Sequence, residues 1–171
     1  MEADRPRRRK SRPAGSAKRI AFFSEPIDED YGRDARGFTQ FDVATLAAEA
    51  LAGSPGIVLD VKPHPREAAA RWRDWLARAP NARLAAEDTE TLLAAAAGVL
   101  GMPTMALIEA CLAGIPALSL QPERPKILNP VLEKMVPVVA RRGEVIAAVR
   151  AWLSGLDRSA QPLPRGEELL V

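Results

Sequence analysis

The sequence predicts a doubly wound, parallel α/β sheet of about six strands, for two reasons. Short apolar segments alternate along the chain with helical segments, which is typical of consecutive βαβ units. The chain has 171 residues, 47% of them apolar, and is therefore long enough for one well-packed domain. Its single cysteine, Cys111, excludes a disulfide framework. We therefore expect one domain over residues 19–156.

The first half of the chain supplies three of the predicted strands and three helices. The strands are short apolar segments bounded by turn residues, at 19–24, 57–62 and 81–85. Helices are predicted over residues 41–51, 67–79 and 92–96, and the second carries Trp72 and Trp75 on one stripe that we expect to be buried.

An acidic segment, residues 28–37, connects the first strand to the first helix. It is long for a connection of this kind. Two interpretations stay open, because long connections in compact domains are often functional, but an exposed insertion has the same composition.

The central stretch of the sequence, residues 98–121, predicts a strand, a tight turn, a buried helix and another strand at 116–120. Thr104 is expected to cap the helix, because its hydroxyl can accept a hydrogen bond from a free amide of the first turn. Gly114 is expected to end it. Beyond this stretch we predict a last strand at 136–140, with Pro137 near its start as expected for an edge, and an amphipathic helix at 143–156.

His64 is the only histidine, and it lies between two prolines just after a predicted strand. The prolines favour an extended turn, and Lys62 and Arg66 flank the imidazole. Ligands of open parallel sheets bind outside the carboxyl ends of the strands. We therefore predict a phosphate-binding or acid–base histidine, the alternative being a turn histidine that caps the next helix.

Glu109 is the only formal charge between Glu90 and Glu123. A buried carboxylate without a partner is costly, so this side chain should reach a cleft or meet a donor. The helix start at Thr104 is a ready phosphate site, which would put Glu109 near a sugar hydroxyl. The alternative, equally open, is a buried helix whose glutamate reaches water or an arginine.

The basic character of the chain belongs to its amino-terminal segment. Residues 1–19 contain eight basic and two acidic residues, a net charge of +6, whereas the whole chain carries +2. We predict a basic disordered leader or linker over residues 1–18 and a flexible tail over 157–171. Nucleic-acid binding is disfavoured, because no aromatic residues interleave with the arginines.

Several common sites and segments have no counterpart in the sequence. There is no apolar run of about 18 residues for a membrane span and no apolar core of a signal peptide. A cytoplasmic location is therefore expected, with the periphery of the inner membrane as an alternative. Zinc would need more than one histidine and one cysteine, so we expect no metal site.

Five motifs carry a family resemblance over roughly residues 19–155. They are Ser24-Glu25-Pro26, the turn VKPHPRE at 61–67, the segment LLAAA at 92–96, the segment GMPTMALIEA at 101–110 and Gly114-Ile115-Pro116. Together they resemble the carboxyl-terminal half of GT-B glycosyltransferase-like proteins of capsule and surface polysaccharide biosynthesis, including the polysialyltransferase and CDP-glycerol glycerophosphotransferase relatives. The sequence is also similar to nonhydrolysing UDP-GlcNAc 2-epimerases.

This resemblance implies a Rossmann-like GT-B half domain that binds a nucleotide-sugar or nucleotide-diphosphate donor as substrate, with no cofactor. His64 would contact the donor phosphate, Thr104 and the amide of Met105 would hold the diphosphate, and Glu109 would lie near ribose or sugar hydroxyls. His64 and Glu109 are the expected catalytic residues, and the leaving diphosphate would be stabilised by donors and cations. The remaining donor-binding residues implied are Lys62, Arg66, Gly101 and Gln121.

The sequence departs from this family in length. Such enzymes have two Rossmann-like domains, and this chain has room for one. It would then be a fragment, a subunit that needs an amino-terminal acceptor domain or partner, or a domain without transfer activity. Whether it is an enzyme stays open. The alternatives are a non-catalytic binding or assembly module with the same fold, and a UDP-GlcNAc 2-epimerase-like enzyme.

Overall fold

The computed structural model describes residues 17–123 and 130–159, and in it every pair of neighbouring strands is parallel. The strands of its one six-stranded sheet are β1 (Lys18–Phe23), β2 (Ile57–Lys62), β3 (Ala82–Leu84), β4 (Gly98–Gly101), β5 (Ala117–Leu120) and β6 (Val138–Val139). Their order across the sheet is β3-β2-β1-β4-β5-β6, so the chain winds outward from β1 in both directions. The predicted doubly wound, parallel α/β class is confirmed.

Helices follow most of the strands in the described part of the chain. They are α1 (Ile27–Tyr31), α2 (Arg33–Arg36), α3 (Gln40–Ala52), α4 (Ala69–Leu76), α5 (Thr89–Ala95), α6 (Met105–Leu112), α7 (Pro130–Met135) and α8 (Val145–Ser159). A 3-10 turn at Arg142–Glu144 leads into α8.

The sheet is buried on both faces, which explains why its strands are continuous apolar runs. Ile20 and Phe22 of β1 face a core that α3, α4 and α8 complete. Ala21 and Phe23, on the opposite face, pack with α5, α6 and α7. Helices therefore cover both faces, and the carboxyl edge of the sheet is where connecting loops gather.

Two short helices, α1 and α2, form most of the segment 28–37. The sequence leaves two interpretations of this segment open, a functional loop and an exposed insertion. Gly32, with φ of 73°, separates α1 from α2 in a conformation that favours glycine. Asp30 of α1 pairs with Arg66 after β2, with a shortest N–O distance of 2.6 Å. This ion pair joins the segment to the turn that contains His64.

Two predicted elements are shorter in the structure, and one helix of the structure is not predicted. The helix predicted at 67–79 is shorter, because the side chain of Glu67 is used in the preceding turn. The strand predicted at 136–140 pairs only over Val138–Val139, and Pro137 has no N–H to donate. It is an edge strand, as predicted. The sequence analysis predicts no helix where α7 lies.

An ion pair joins the two ends of the predicted domain. Strand β1 begins at Lys18, one residue inside the predicted leader, and α8 continues past the predicted start of the tail at Asp157. The side chains of these two residues form an ion pair. The rest of the predicted leader and tail, residues 1–16 and 160–171, lies outside the described residues. None of the helices described is both long and apolar enough to cross a membrane.

Candidate functional site

The candidate site lies where the winding of the sheet reverses, between β1 and β4. In parallel pairing, Phe23 at the end of β1 is opposite Lys62 on one side and Gly101 on the other. The loops after β2, β1 and β4 therefore leave the sheet side by side. This is the crevice in which open α/β sheets bind ligands, because the neighbouring crossovers lie on opposite faces.

Gly101 lets β4 approach β1 closely at this crevice. A Cβ atom at this position would lie 3.1 Å from the carbonyl oxygen of Phe23 and 3.4 Å from the Thr104 side chain. The contact with the Phe23 carbonyl is tighter than most real Cβ contacts, so a side chain at position 101 would require its neighbours to shift by a few tenths of an ångström. Its predicted role in donor binding stays a prediction.

Thr104 caps α6, as predicted. Its backbone is extended, with φ of −123° and ψ of 149°, and its hydroxyl accepts a hydrogen bond from the amide of Ala106 at 3.4 Å. The Met105 side chain is 60% exposed, so the first turn of the helix reaches solvent. The positive end of the helix dipole therefore points into the crevice region, where it favours anions.

The turn after β2 fixes the tautomer of His64. The imidazole Nδ1 accepts a hydrogen bond from the backbone amide of Arg66 at 3.2 Å. A nitrogen that accepts a hydrogen bond carries no proton, so the neutral ring has its proton on Nε2. That atom can donate to an anion, while the half-buried ring is held by the turn.

A buried carboxylate, Glu67, holds this turn, and sequence reasoning missed it. Glu67 accepts hydrogen bonds from the Ser24 hydroxyl at 2.8 Å, the His64 backbone amide at 2.5 Å and Trp72 Nε1 at 3.3 Å. Burial raises the pKa of Glu67 above its ordinary value. The side chain thus joins the end of β1 to the turn that follows β2. The available signal in the sequence is an acidic residue three positions after His64. The helical pattern at 67–79 conceals it, because it includes Glu67 as the first residue of the predicted helix.

We predict that Glu67 makes stability depend on pH. A carboxyl group whose pKa is raised on folding contributes stability below its unfolded pKa and loses it as pH rises through the folded pKa. The free energy of unfolding should therefore fall as pH rises above about 4.5, the ordinary value for glutamate. In Glu67→Gln this part of the slope should be absent.

Urea denaturation at a series of pH values measures that slope. Glu90→Gln, at an exposed position of α5, is the matched control and should keep the wild-type slope. Coincident pH profiles of wild type and Glu67→Gln would contradict the assignment.

The two predicted cationic helpers are engaged with other groups. Lys62 Nζ donates to the backbone carbonyl of Glu87 at 2.5 Å. Arg66 donates two hydrogen bonds to Asp30, at 2.6 and 2.7 Å, and lowers the pKa of that carboxyl. Lys62 and Arg66 would therefore have to give up these partners in order to bind a donor as predicted.

Glu109 is exposed on α6, one turn beyond Met105 on the same face. Within the described residues its carboxylate has no ion-pair partner. The environment of Glu109 therefore matches the alternative interpretation, in which the glutamate of this helix reaches water. Its predicted role toward a sugar or ribose hydroxyl stays a prediction.

Gln121 follows β5 at the same edge and is 1% exposed. Its Nε2 donates to the Ser119 hydroxyl at 2.9 Å, and its buried Oε1 has no hydrogen-bond partner among the described residues. A buried amide of this kind is held in place by the strand, and its donor-binding role stays a prediction.

Glu25 is the second site residue that sequence reasoning missed, although its motif was noted. Its half-buried carboxylate lies close enough to the Thr104 side chain and to His64 to interact with both. Burial raises its pKa, while the nearby Thr104 hydroxyl and the charge of His64 oppose that rise. Glu25 therefore connects the two halves of the predicted anion site, which the fold brings to one edge.

Solved structures share this fold at low sequence identity. The spinosyn rhamnosyltransferase SpnG, in complex with spinosyn aglycone, superposes with a TM-score of 0.58 at 16% identity, over 84% of this chain and 38% of its own. SpnG has also been solved with thymidine diphosphate. S. aureus MnaA, solved with UDP, gives a TM-score of 0.60 at 13% identity, over 82% of this chain and 38% of its own.

A Listeria monocytogenes protein assigned as a UDP-N-acetylglucosamine 2-epimerase gives a TM-score of 0.59 at 14% identity, over 84% of this chain and 38% of its own. The chain therefore spans well under half the length of these proteins. No protein-family model matches it, and no curated protein matches its sequence. The likenesses establish the fold, which is the Rossmann-like architecture of a GT-B half domain.

Proposed function

Starting from the fold of a GT-B half domain, we propose that this chain is the nucleotide-sugar-binding, carboxyl-terminal half of a glycosyltransferase-like protein of surface polysaccharide biosynthesis. The observation that carries the proposal is that the His64 turn and the Thr104-capped start of α6 flank the carboxyl end of β1. A hydrogen-bond donor on one side and a helix N-terminus on the other suit a diphosphate. The nucleotides bound to SpnG and MnaA support the same ligand class.

In the proposed mechanism, the chain stabilises the diphosphate that leaves as the sugar is transferred. His64 Nε2 donates to a phosphate oxygen, and the amide of Met105 at the start of α6 faces the growing negative charge. Preorganised donors of this kind lower the barrier because they need no reorganisation as charge develops. Glu109 orients sugar or ribose hydroxyls. The nucleotide sugar is proposed as the substrate, and no cofactor is proposed. The proposed location of the protein is cytoplasmic.

Transfer itself requires an acceptor site, which we propose lies in a second domain or a partner subunit. The resemblance implies two Rossmann-like domains, and this chain spans 38% of the SpnG chain. We therefore expect donor binding, and not transfer, from this chain alone.

Isothermal titration with UDP, CDP, TDP and CMP tests the proposal. We expect one of these nucleotides to bind, and His64→Ala to weaken its binding by about tenfold or more, because a hydrogen bond to a charged group is lost. Arg78→Ala is the control, since it removes an exposed cation at the end of α4, away from the crevice. Its affinity should match wild type.

The titration also separates the rival functions. If none of the four nucleotides binds, the proposal is wrong and a non-catalytic binding or assembly module with this fold remains. A UDP-GlcNAc 2-epimerase-like enzyme is the second candidate, favoured by the carboxylate that Glu25 brings to the crevice. Formation of the 2-epimer from UDP-GlcNAc, followed by proton NMR, would support that alternative.

A further inference from the structure

Glu25 places a negative charge inside the proposed donor site. It follows β1, between the turn that holds His64 and the cap of α6, and its carboxylate lies close enough to Thr104 and His64 to interact with both. Within residues 17–123 and 130–159, no lysine, arginine or histidine forms an ion pair with it, and Arg66 is bound to Asp30 instead. The site therefore contains an anion of its own that no cation neutralises by direct contact.

A cavity of about 340 Å³ opens beside this carboxylate. Its size is at the lower end of the roughly 300–1,000 Å³ typical of ligand pockets. Tyr31, Arg36 and Pro103 form part of its wall, and the Arg36 guanidinium lies over the Tyr31 ring, 4.1 Å from the ring centroid. Asp30 also lines the cavity, with both carboxylate oxygens bound to Arg66.

We propose that Glu25 determines specificity: the site selects donors whose transferred group is a neutral, hydroxyl-bearing sugar over donors whose sugar carries a carboxylate. This inference rests on the proposed function. Hydroxyls of a neutral sugar can donate to Glu25, and hydrogen bonds to an ionised acceptor are stronger than neutral ones. A sugar carboxylate in the cavity would instead face a like charge in a half-buried setting, where salt screens poorly.

UDP-glucose and UDP-glucuronate form a matched pair of probes. They share the nucleotide and diphosphate and differ only at C6, which is a hydroxymethyl group in one and a carboxylate in the other. In alkaline buffer, where carboxylates are ionised, the full chain should bind UDP-glucose about tenfold or more tightly than UDP-glucuronate. In Glu25→Gln this ratio should fall to about twofold, because UDP-glucose loses a hydrogen bond to a charged acceptor and UDP-glucuronate no longer faces a like charge.

Two further variants control for charge and structure. Glu25→Asp keeps the charge and should keep the preference for UDP-glucose. Asp34→Asn removes the same charge from an exposed position on α2 that does not line the cavity, so its ratio should match wild type. A thermal unfolding curve for each variant shows that the fold is intact.

The outcomes separate the inference from the proposed function. If wild type binds the two ligands equally, or prefers UDP-glucuronate, Arg36 and not Glu25 dominates the cavity and the inference is wrong. A ratio that Glu25→Gln leaves unchanged overturns it as well. In each case both ligands still bind, so the proposed function stands. If neither ligand binds and no other nucleotide does, both proposals fail.

Discussion

Replacing Trp72 with alanine is expected to lower the free energy of unfolding by about 4 kcal/mol, a typical loss for a large buried aromatic residue. Trp72 is fully buried, and its ring centroid lies 4.6 Å from that of Phe41 and 5.4 Å from that of Trp75. The substitution leaves a cavity between α3 and α4 and also removes the indole donor from Glu67. Equilibrium unfolding in urea, followed by circular dichroism, measures the loss.

Trp72→Phe is the matched variant, because it keeps most of the packing and removes the N–H donor. It should cost about 1–2 kcal/mol, much less than alanine, and it allows the comparison even if Trp72→Ala does not fold. A loss below about 1 kcal/mol for Trp72→Ala would mean that the surrounding helices collapse onto the site, contrary to the tight packing expected of protein interiors.

Arg19→Met is expected to cost about 3 kcal/mol, because it leaves a buried carboxylate poorly compensated. Asp60 of β2 is fully buried and accepts hydrogen bonds from Arg19 of β1 and Arg83 of β3, the latter at 2.6 Å. Methionine keeps the apolar stem of the arginine and removes the charge. The remaining partner, Arg83, is 55% exposed and cannot replace the lost interaction fully.

A double-mutant cycle identifies the cause of that loss. Arg19→Met combined with Asp60→Asn should be more stable than Arg19→Met alone, because no uncompensated charge then stays buried. Arg33→Met breaks an exposed pair with Asp42 and should change stability by less than about 1 kcal/mol. If Arg19→Met lowers the free energy of unfolding no more than Arg33→Met does, the ion pair between Arg19 and Asp60 does not stabilise the fold.

The proposed donor site was predictable in part. The N-cap at Thr104 and the extended turn around His64 follow from rules that act over a few residues, and the structure has both. Glu25 and Glu67 were not identified as site residues, because each gains its role from a partner far away in the sequence. Ser24 and Glu67, for example, are 43 positions apart.

Gln121 and Glu109 illustrate the same limit from the other side. Glu109 lies on the predicted helix and Gln121 directly after the predicted strand, but the sequence could not tell that the amide is almost fully buried and the carboxylate exposed. Burial of a polar side chain depends on which helix packs over it, and that is a property of the assembled layers.

The sequence by itself determined that this chain forms a parallel α/β sheet and that a proline-flanked histidine turn and a capped helix follow two of its strands. Apolar runs, prolines and capping residues act locally, so they can be recognised without knowing the fold. Only the tertiary structure decided that β1 lies between β2 and β4. This order brings Glu25 to Thr104 and Ser24 to Glu67, because contacts between distant residues are fixed by how crossovers stack strands and not by any local pattern.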